Sequence, residues 1–368
     1  MKKKLNLTLL TVIIFFLLQG CDMEGQFIYS AADVPPAKRP IDPQFAPRGF
    51  SPDSQKLYLE YLDADQKVKI GWMDLSTKQV SLFVPLDTPD SFASPSSSSD
   101  GKQLAIVIKA AASDFEKSQI GVLDLEKNVY RAITTSDSFK QFPSFSRDGK
   151  KIIYAQANRR RESGKTRFSR WDIYEVDVNT GIERRLTDFC FFAVSPPFYL
   201  EDGERFVFSG GPPFCNYPSR SNPDYKAYNK KYKGNDIFMC RVGEESPLEP
   251  LFQNGEDSSS AFLTRNGKIF FQSRTNEMDG IKGNYNFDIF EYENGVIRRL
   301  TNLKTYLWGF VVSPRGDLVA YSSDEKRNRK TKHWMMKVKE GTHSPLNIGD
   351  SRLFKVINVA NQPRGENK

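Results

Sequence analysis

The sequence is poor in the residue types from which most metal and covalent-catalysis sites are built. It contains only two histidines and four cysteines: His333, His343, Cys21, Cys190, Cys215 and Cys240. Zinc sites and iron–sulfur clusters take their ligands from these residue types, and a serine triad needs a histidine base. We therefore expect no metal site and no cofactor. The sequence offers no catalytic residue to assign, and both histidines are expected at the surface.

The chain also lacks an apolar run long enough to span a bilayer permanently. Lys2, Lys3 and Lys4 precede an apolar stretch of 14 residues, Leu5 to Leu18. At ~1.5 Å per residue, a helix of that length spans about 21 Å, which is short of the ~30 Å hydrocarbon core. The positive start followed by a short apolar stretch predicts a signal peptide at residues 1–20.

The residues after this stretch resemble a lipoprotein signal. Leu18-Gln19-Gly20-Cys21 is similar to the lipobox of bacterial lipoproteins, in which the chain is cleaved before the cysteine. The resemblance implies that Cys21 carries acyl chains such as palmitate, which anchor the protein to a membrane with the rest in the periplasm. Asp22 resembles the inner-membrane retention signal of enteric bacteria and slightly favours that membrane over the outer one.

Composition predicts a folded protein with a short tether in front of it. Hydrophobic residues make up 39% of the chain and aromatic residues 13%, which is too many for a disordered protein. Residues 21–48 contain five prolines and no hydrophobic period, so we expect an extended tether there. The length of 368 residues allows one large domain or two ordinary ones, and internal repeats decide between them.

Six repeats of about 48 residues begin after the tether. Each has a two-residue turn, and these turns are Asp53-Ser54, Asp100-Gly101, Asp148-Gly149, Asp202-Gly203, Asn266-Gly267 and Arg315-Gly316. An apolar run follows each turn, and the third and fourth strands are clearest in Asp172-Ile173-Tyr174 and in Arg185-Leu186-Thr187, which recurs as Arg299-Leu300-Thr301. Short strands at this period predict an all-β, six-bladed β-propeller with four antiparallel strands per blade. We place it at residues 49–350, followed by a C-terminal strap and tail at 351–368, in which 351–360 pack as a strand.

These motifs resemble the TolB-like, WD40-like propeller repeats. The resemblance rests on Ser51-Pro52-Asp53, Ser146-Arg147-Asp148-Gly149, Trp171-Asp172-Ile173-Tyr174 and Arg185-Leu186-Thr187, and covers about residues 49–350. TolB itself has a globular domain before its propeller, whereas here only the tether separates Cys21 from Gly49. Its partnership in the Tol-Pal envelope system therefore does not carry over. Peptidases with such propellers also need a Gly-x-Ser-x-Gly elbow, which this sequence lacks.

Positive charge is concentrated in three loops that share one face of the predicted propeller. Loops between second and third strands lie at the same end of the ring. Residues 155–171, 209–235 and 322–333 carry net charges of +5, +4 and +3, whereas the whole chain carries +8. The candidate binding residues in these loops are Arg159, Arg160, Arg161, Arg167, Arg170, Lys226, Lys230, Lys233, Lys326, Arg327, Arg329 and Lys330.

This charge pattern leads to two alternative functions. We favour a membrane-anchored, non-catalytic binding or scaffolding module for an anionic protein, lipid or glycan partner of the envelope, since a periplasmic site argues against nucleic acid. The alternative is an envelope enzyme that acts on glycan or peptide, with its site in the propeller channel. The simplest alternative is that the basic loops only form a solvated surface and bind no partner.

Two further predictions concern the blade-four region. Cys190 and Cys215 both fall on the basic face and are expected to form a disulfide in the oxidising periplasm, with three unpaired cysteines as the alternative. Cys240 lies farther along the next strand and is expected to be a buried free thiol. Between them, Asn222, Pro223 and a tyrosine stripe predict a short helix at 222–234.

Overall fold

A computed structural model describes most of the predicted propeller. It covers residues 44–62, 68–86, 91–109, 117–160, 168–191, 193–211, 234–243, 250–252, 256–275, 286–324, 331–348 and 353–362, without the side chains of 44, 158–160, 168–169 and 324. The predicted signal peptide, Cys21 and most of the tether lie outside these residues, as does the predicted helix at 222–234 except its last residue. The first strand begins at Gln44, five residues before the expected boundary.

The chain folds into successive four-stranded antiparallel meanders, which we call units and number along the chain. Unit 1 contains β1 (Gln44–Phe50), β2 (Lys56–Leu62), β3 (Val68–Asp74) and β4 (Val80–Pro85). Unit 2 contains β5 (Ser91–Ser97), β6 (Gln103–Lys109), β7 (Gln119–Asp124) and β8 (Val129–Ala132). Unit 3 contains β9 (Phe139–Phe145), β10 (Lys151–Arg160), β11 (Phe168–Asp177) and β12 (Glu183–Arg185).

The second half of the chain repeats this order with one irregular unit. Unit 4 contains β13 (Ala193–Val194), β14 (Phe198–Tyr199), β15 (Arg205–Gly211) and β16 (Asp236–Arg241). Its β13 and β14 both pair with β15 and together form a split first strand. Unit 5 contains β17 (Ser258–Leu263), β18 (Ile269–Thr275), β19 (Asn286–Glu293) and β20 (Val296–Arg299). Unit 6 contains β21 (Leu307–Val312), β22 (Leu318–Asp324), β23 (Thr331–Lys337) and β24 (Thr342–Pro345).

The C-terminal strand joins the first two units. β25 (Lys355–Asn361) pairs in parallel with β4 and, through its last residues, with β8. Units 1 and 2 therefore form one nine-stranded sheet, so that the described residues contain five sheets where the sequence predicts six separate ones. The all-β propeller class is confirmed, and the sheet count differs because the strap bonds to two outer edges.

The recurring turn motif has a local hydrogen-bond basis. In unit 2, the Ser98 hydroxyl donates to Asp100 Oδ1 at 2.6 Å and accepts the backbone N–H of Gln103 at 3.0 Å. The residue after the aspartate has φ = 75° in Gly101, a left-handed conformation that glycine adopts without strain. Unit 1 has Ser54 at this position with φ = 62°. The Ser-x-Asp-Gly repeat therefore encodes the hairpin between the first and second strands.

Among the described residues, the hydrophobic core consists of six clusters, each between two neighbouring units. Second strands such as β6, with the sequence QLAIVIK, are buried on both faces and supply residues to two clusters. One cluster packs Phe50 and Leu59 of unit 1 against Val311 and Ala320 of unit 6. The first and last units are therefore in contact, and the ring is closed by side-chain packing between them.

The repeated Arg-Leu-Thr motif anchors the outer strand of two units. Asp172, fully buried on β11, accepts hydrogen bonds from Arg185 Nη2 at 2.6 Å, Thr187 Oγ1 at 2.8 Å and the Phe189 N–H at 2.9 Å. In unit 5, Asp288 binds Arg299, Thr301 and the Leu303 N–H in the same way, as an equivalent set. The motif therefore fixes the connection from the fourth strand to the next unit.

Candidate functional site

The inner strands of the ring surround a cavity of about 640 Å³ in the central channel. First strands from all six units contribute to its wall, as do the turns that follow them. The volume lies within the ~300–1,000 Å³ range of small-molecule sites. The channel is therefore the candidate site among the described residues.

Irregular pairing in the inner strands shapes this wall. The ladders of β1, β5, β9, β17 and β21 each contain a register shift, and Ser94, Phe142 and Ser260 at three of these shifts have φ between 50° and 56°. Pro95 and Pro143 follow two of them, and proline cannot donate to a ladder. The sequence thus encodes bulges where the strands pass the channel, which turn their residues inward.

Polar groups on the second strands hold these bulges. Glu60 accepts the Ser94 N–H at 2.7 Å and an Arg48 Nη2 bond at 2.7 Å, while Ser209 Oγ accepts the Ser260 N–H at 3.1 Å. Burial by itself raises the pKa of Glu60, but the charge and hydrogen bond of Arg48 outweigh it and hold that pKa below its usual value. Glu60 is therefore an ionised structural group that buttresses the channel wall.

The turn end of the channel is narrowed by contacts between units. Arg265 of unit 5 approaches to 3.4 Å from the Ser99 carbonyl of unit 2, across the ring. Beside it, Arg147 forms an ion pair with Glu201. These groups come from turns far apart in the sequence, so the repeat pattern alone could not predict that they meet.

Aromatic rings form much of the remaining wall. Tyr306 and Trp308 lie edge to face with ring centroids 4.8 Å apart, and Phe262 contacts Phe310 at 5.0 Å and Phe198 at 5.4 Å. These rings are interleaved with serine hydroxyls from several inner strands. The wall can therefore offer apolar faces and hydrogen-bonding groups to the same ligand.

A serine–histidine pair at the wall was missed by the sequence analysis. His333 Nδ1 lies 2.7 Å from Ser322 Oγ, and Ser322 borders the cavity. The His333 ring packs 4.1 Å from Phe45, and burial lowers its pKa to about 4. The expected surface position of His333 is thus wrong, because β1 covers it, whereas His343 is exposed on β24.

Most of the predicted basic residues lie outside the described part of the chain. Arg161, Arg167, Lys226, Lys230, Lys233, Lys326, Arg327, Arg329 and Lys330 are all in this group. The backbones of Arg159 and Arg160 lie at the end of β10, and half-buried Arg170 lies on β11 with φ = 62°. The strands that flank the three loops end and begin at the same end of the ring, opposite the Asp-Gly turns.

The cysteines differ in state. Cys190 is disulfide-bonded, and its pairing with Cys215 stays a prediction because Cys215 lies outside the described residues. Cys240 is a free thiol on β16 and is half-buried. Burial raises its pKa to about 12, which makes the thiolate scarce at neutral pH.

Within the described ranges, no three histidine, cysteine, aspartate or glutamate side chains cluster closely enough to hold a metal ion. Nor does that part of the chain contain a helix long and apolar enough to cross a bilayer.

Comparison with known proteins identifies the fold of the chain, because only solved structures match it. No protein-family model and no curated protein matches it. Similar solved structures include TolB from Acinetobacter baumannii, with a TM-score of 0.54 and 19% identity over 84% of this chain and 64% of that one, so the chain spans less than two thirds of that TolB. An oligogalacturonate lyase from Vibrio parahaemolyticus has a TM-score of 0.53 and 14% identity, over 84% and 80% of the two chains.

A puromycin-hydrolyzing peptidase from Mycobacterium tuberculosis has a TM-score of 0.52 and 11% identity, over 83% of this chain and 46% of that one. TolB, a lyase and a peptidase therefore share the architecture, and the fold by itself does not identify the function. The protein has a TolB-like β-propeller fold.

Proposed function

We propose that the protein is a lipid-anchored protein of the bacterial envelope whose propeller is a non-catalytic binding module for an anionic partner. The observation that carries this proposal is the common position of the strand ends that flank the three basic loops. Loops of +5, +4 and +3 that start from one end of a ring concentrate positive potential there.

The state of the channel carboxylates supports binding over catalysis. Glu60, behind the wall, is paired with Arg48, and Glu201 at the mouth is paired with Arg147. A general acid or base needs a pKa near the working pH and access to the substrate. Glu60 is buried behind the wall with a lowered pKa, and Glu201 is held in its ion pair with Arg147, so the wall is better suited to recognition.

Charge reversal tests the basic face. Replacing Arg159, Arg160 and Arg161 with Glu should reduce recovery of crosslinked partners from cells, and capture by the unchanged protein should weaken steeply with salt because the field is screened over ~8 Å. The matched control replaces Lys127, Lys150 and Lys339 with Glu in exposed turns at the opposite end, with the same change in net charge. Equal recovery with both variants, at low and high salt, would reject the anionic partner.

Lipidation of Cys21 has a separate test. Cys21→Ser should abolish palmitate labelling and release the protein from the membrane fraction into the periplasm. Density-gradient separation of inner and outer membranes then tests the expectation from Asp22. Labelling that persists in the variant would exclude Cys21 as the anchor.

The Ser322–His333 pair favours one alternative function, a hydrolase acting on glycan or peptide in the channel. Its hydroxyl is within hydrogen-bond reach of an imidazole, as in an activated nucleophile. Two facts weigh against this alternative: Ser322 is only 3% exposed, and a histidine pKa of about 4 makes a weak base. Labelling of Ser322, absent in Ser322→Ala, by a fluorophosphonate probe would favour the enzyme.

A further inference from the structure

The polarity of the channel wall is uneven around the ring. On the second strand of each unit, one position pairs with an isoleucine of the third strand or, in unit 6, with His333. It is occupied by Glu60, Val107, Ala155, Ser209, Gln272 and Ser322 in units 1 to 6. These residues are polar in units 4, 5, 6 and 1 and apolar in units 2 and 3. Glu60 and Ser209 bind neighbouring bulges and Ser322 contacts His333, whereas the fold leaves part of Gln272 unused.

Gln272 has hydrogen-bonding capacity that the protein does not use. Its side chain borders the cavity and is 7% exposed. Its Nε2 donates to Ser259 Oγ at 2.9 Å, whereas its Oε1 has no hydrogen-bond partner among the described residues. A buried polar atom without a hydrogen-bond partner destabilises the folded protein. A ligand hydroxyl that reaches Oε1 would recover that loss.

The chemistry of the wall identifies the ligand class. Two of the three wall arginines are already paired with carboxylates, since Arg48 binds Glu60 and Arg147 binds Glu201, and the third, Arg265, lies in the turn at one end of the channel. What remains for a ligand is an arc of hydroxyl and amide groups facing aromatic rings such as Trp308. A sugar ring matches this combination, because it carries hydroxyls around its edge and C–H groups on its faces that pack on aromatic rings.

We infer that the central channel binds a neutral saccharide unit, with Gln272 Oε1 accepting a sugar hydroxyl and Trp308 packing on the sugar ring. This inference rests on the proposed binding function and names the part of the partner that enters the ring, which is a neutral sugar. Half-exposed serines of the wall, such as Ser94, Ser96 and Ser260, supply further hydroxyl groups.

Calorimetric titration of the soluble propeller (Cys21→Ser) with neutral hexasaccharides tests the inference. The probes are chitohexaose, maltohexaose and cellohexaose, with hexagalacturonate and an acidic hexapeptide for comparison. We expect one neutral probe to bind with 1:1 stoichiometry and a Kd below about 1 mM. Saturation-transfer NMR should show contact through the sugar C–H protons.

Gln272→Leu should weaken that binding about tenfold or more, because a sugar hydroxyl then loses its partner. Folding should change little, since the substitution removes the unsatisfied Oε1 together with a single hydrogen bond, from Nε2 to Ser259 Oγ. The matched control is Gln156→Leu, a buried glutamine on the second strand of unit 3 that does not line the cavity, and it should bind as the unchanged protein does. Trp308→Ala, at a half-exposed position, provides a second variant with an expected loss of similar size.

Failure of all three neutral probes to bind overturns the inference, as does binding of only the peptide or hexagalacturonate. Sugar binding that both Gln272→Leu and Trp308→Ala leave unchanged also overturns it. The proposed function is tested separately. If no sugar binds while Arg159→Glu, Arg160→Glu and Arg161→Glu together still reduce partner capture, the anionic binding module stands without a channel ligand.

Discussion

A buried aspartate on the third strand connects three parts of a unit. Asp172 receives donors from the side chains of Arg185 and Thr187 and from the backbone after the fourth strand. A carboxylate removed from water needs such donors, because an unpaired buried charge is strongly destabilising. The Arg-Leu-Thr motif is therefore a structural element whose role becomes visible only with its aspartate.

Asp172→Asn should lower the free energy of unfolding by about 3 kcal/mol, since it removes the charge and turns an amide toward existing donors. Asp188→Asn is the matched control, because Asp188 also pairs with Arg185 but is 68% exposed. An exposed pair contributes about 1 kcal/mol or less. Urea unfolding followed by circular dichroism measures the free energy of unfolding of both variants. Equal losses would contradict a special stabilising role for the buried Asp172 contacts.

His333 should make stability depend on pH. Its pKa is about 4 in the folded protein and 6.5 in the unfolded chain, so the unfolded state binds the proton more strongly. The contribution of neutral His333 to the free energy of unfolding is fully present above about pH 6.5. This contribution is lost as the pH falls toward 4, and it amounts to at most about 3 kcal/mol. His333→Gln should flatten this part of the stability curve in urea titrations between pH 4.5 and 7. Parallel curves for the two proteins would rule out His333 as the source.

The Cys190–Cys215 bridge stays a prediction, because Cys190 is disulfide-bonded but Cys215 lies outside the described residues. We expect peptide mass spectrometry without reductant to find Cys240 alkylated and Cys190 and Cys215 linked. Alkylation of Cys215 in unreduced protein would reject that pairing, and Cys190 would then require another partner.

At the scale of elements, β25 acts as a strap across the ring closure. The chain leaves unit 6 at Leu346, which is buried between units 6 and 1, and then pairs along the outer edges of units 1 and 2. Val359 on this strand is fully buried, whereas Leu353 and Val356 are 79% and 56% exposed. The apolar composition of 351–360 predicted a strand, but not which of its side chains are buried.

Val359→Asp should destabilise the protein by about 3 kcal/mol or more, because it places an unpaired carboxylate in the cluster between units 1 and 2. Val356→Asp makes the same chemical change at an exposed position of the same strand and should cost less than about 1 kcal/mol. Thermal unfolding of the two variants distinguishes a docked strap from a loosely attached tail, for which both changes would be equally mild.

At the scale of the whole molecule, closure should make the ring unfold as one unit. Each hydrophobic cluster belongs to two neighbouring units, and the last cluster joins unit 6 to unit 1. Losing one interface therefore exposes two units, and the exposure continues around the ring. This differs from an open repeat array, in which distant units can unfold independently.

Phe271→Ala tests this cooperativity. Phe271 is fully buried between units 4 and 5, and its truncation should cost about 3–5 kcal/mol. The four tryptophans lie in other units: Trp72, Trp171, Trp308 and Trp334. The urea midpoint of their fluorescence change should nevertheless fall by the same amount as the midpoint measured by circular dichroism. A fluorescence midpoint that stays in place would indicate that the units unfold separately.

The sequence by itself determined the propeller class, the order of the strands and the Asp-Gly hairpins. These features are encoded by residues that are adjacent in the sequence. A hairpin turn depends on the residues at the turn itself, and the alternating hydrophobic pattern of a strand is visible within a few positions. It also placed the basic loops at one end, because strand direction alternates along a meander. The loops themselves lie mostly outside the described residues.

Only the tertiary structure decided which residues meet across the ring. Ser322 and His333 meet across paired strands beneath β1, Arg265 reaches Ser99 over the channel, and Gln272 is left with an unused acceptor at the cavity wall. β25 joins two sheets that the repeat pattern had separated. Each of these depends on distances between residues remote in sequence, which a periodic pattern does not contain because closing the ring creates them.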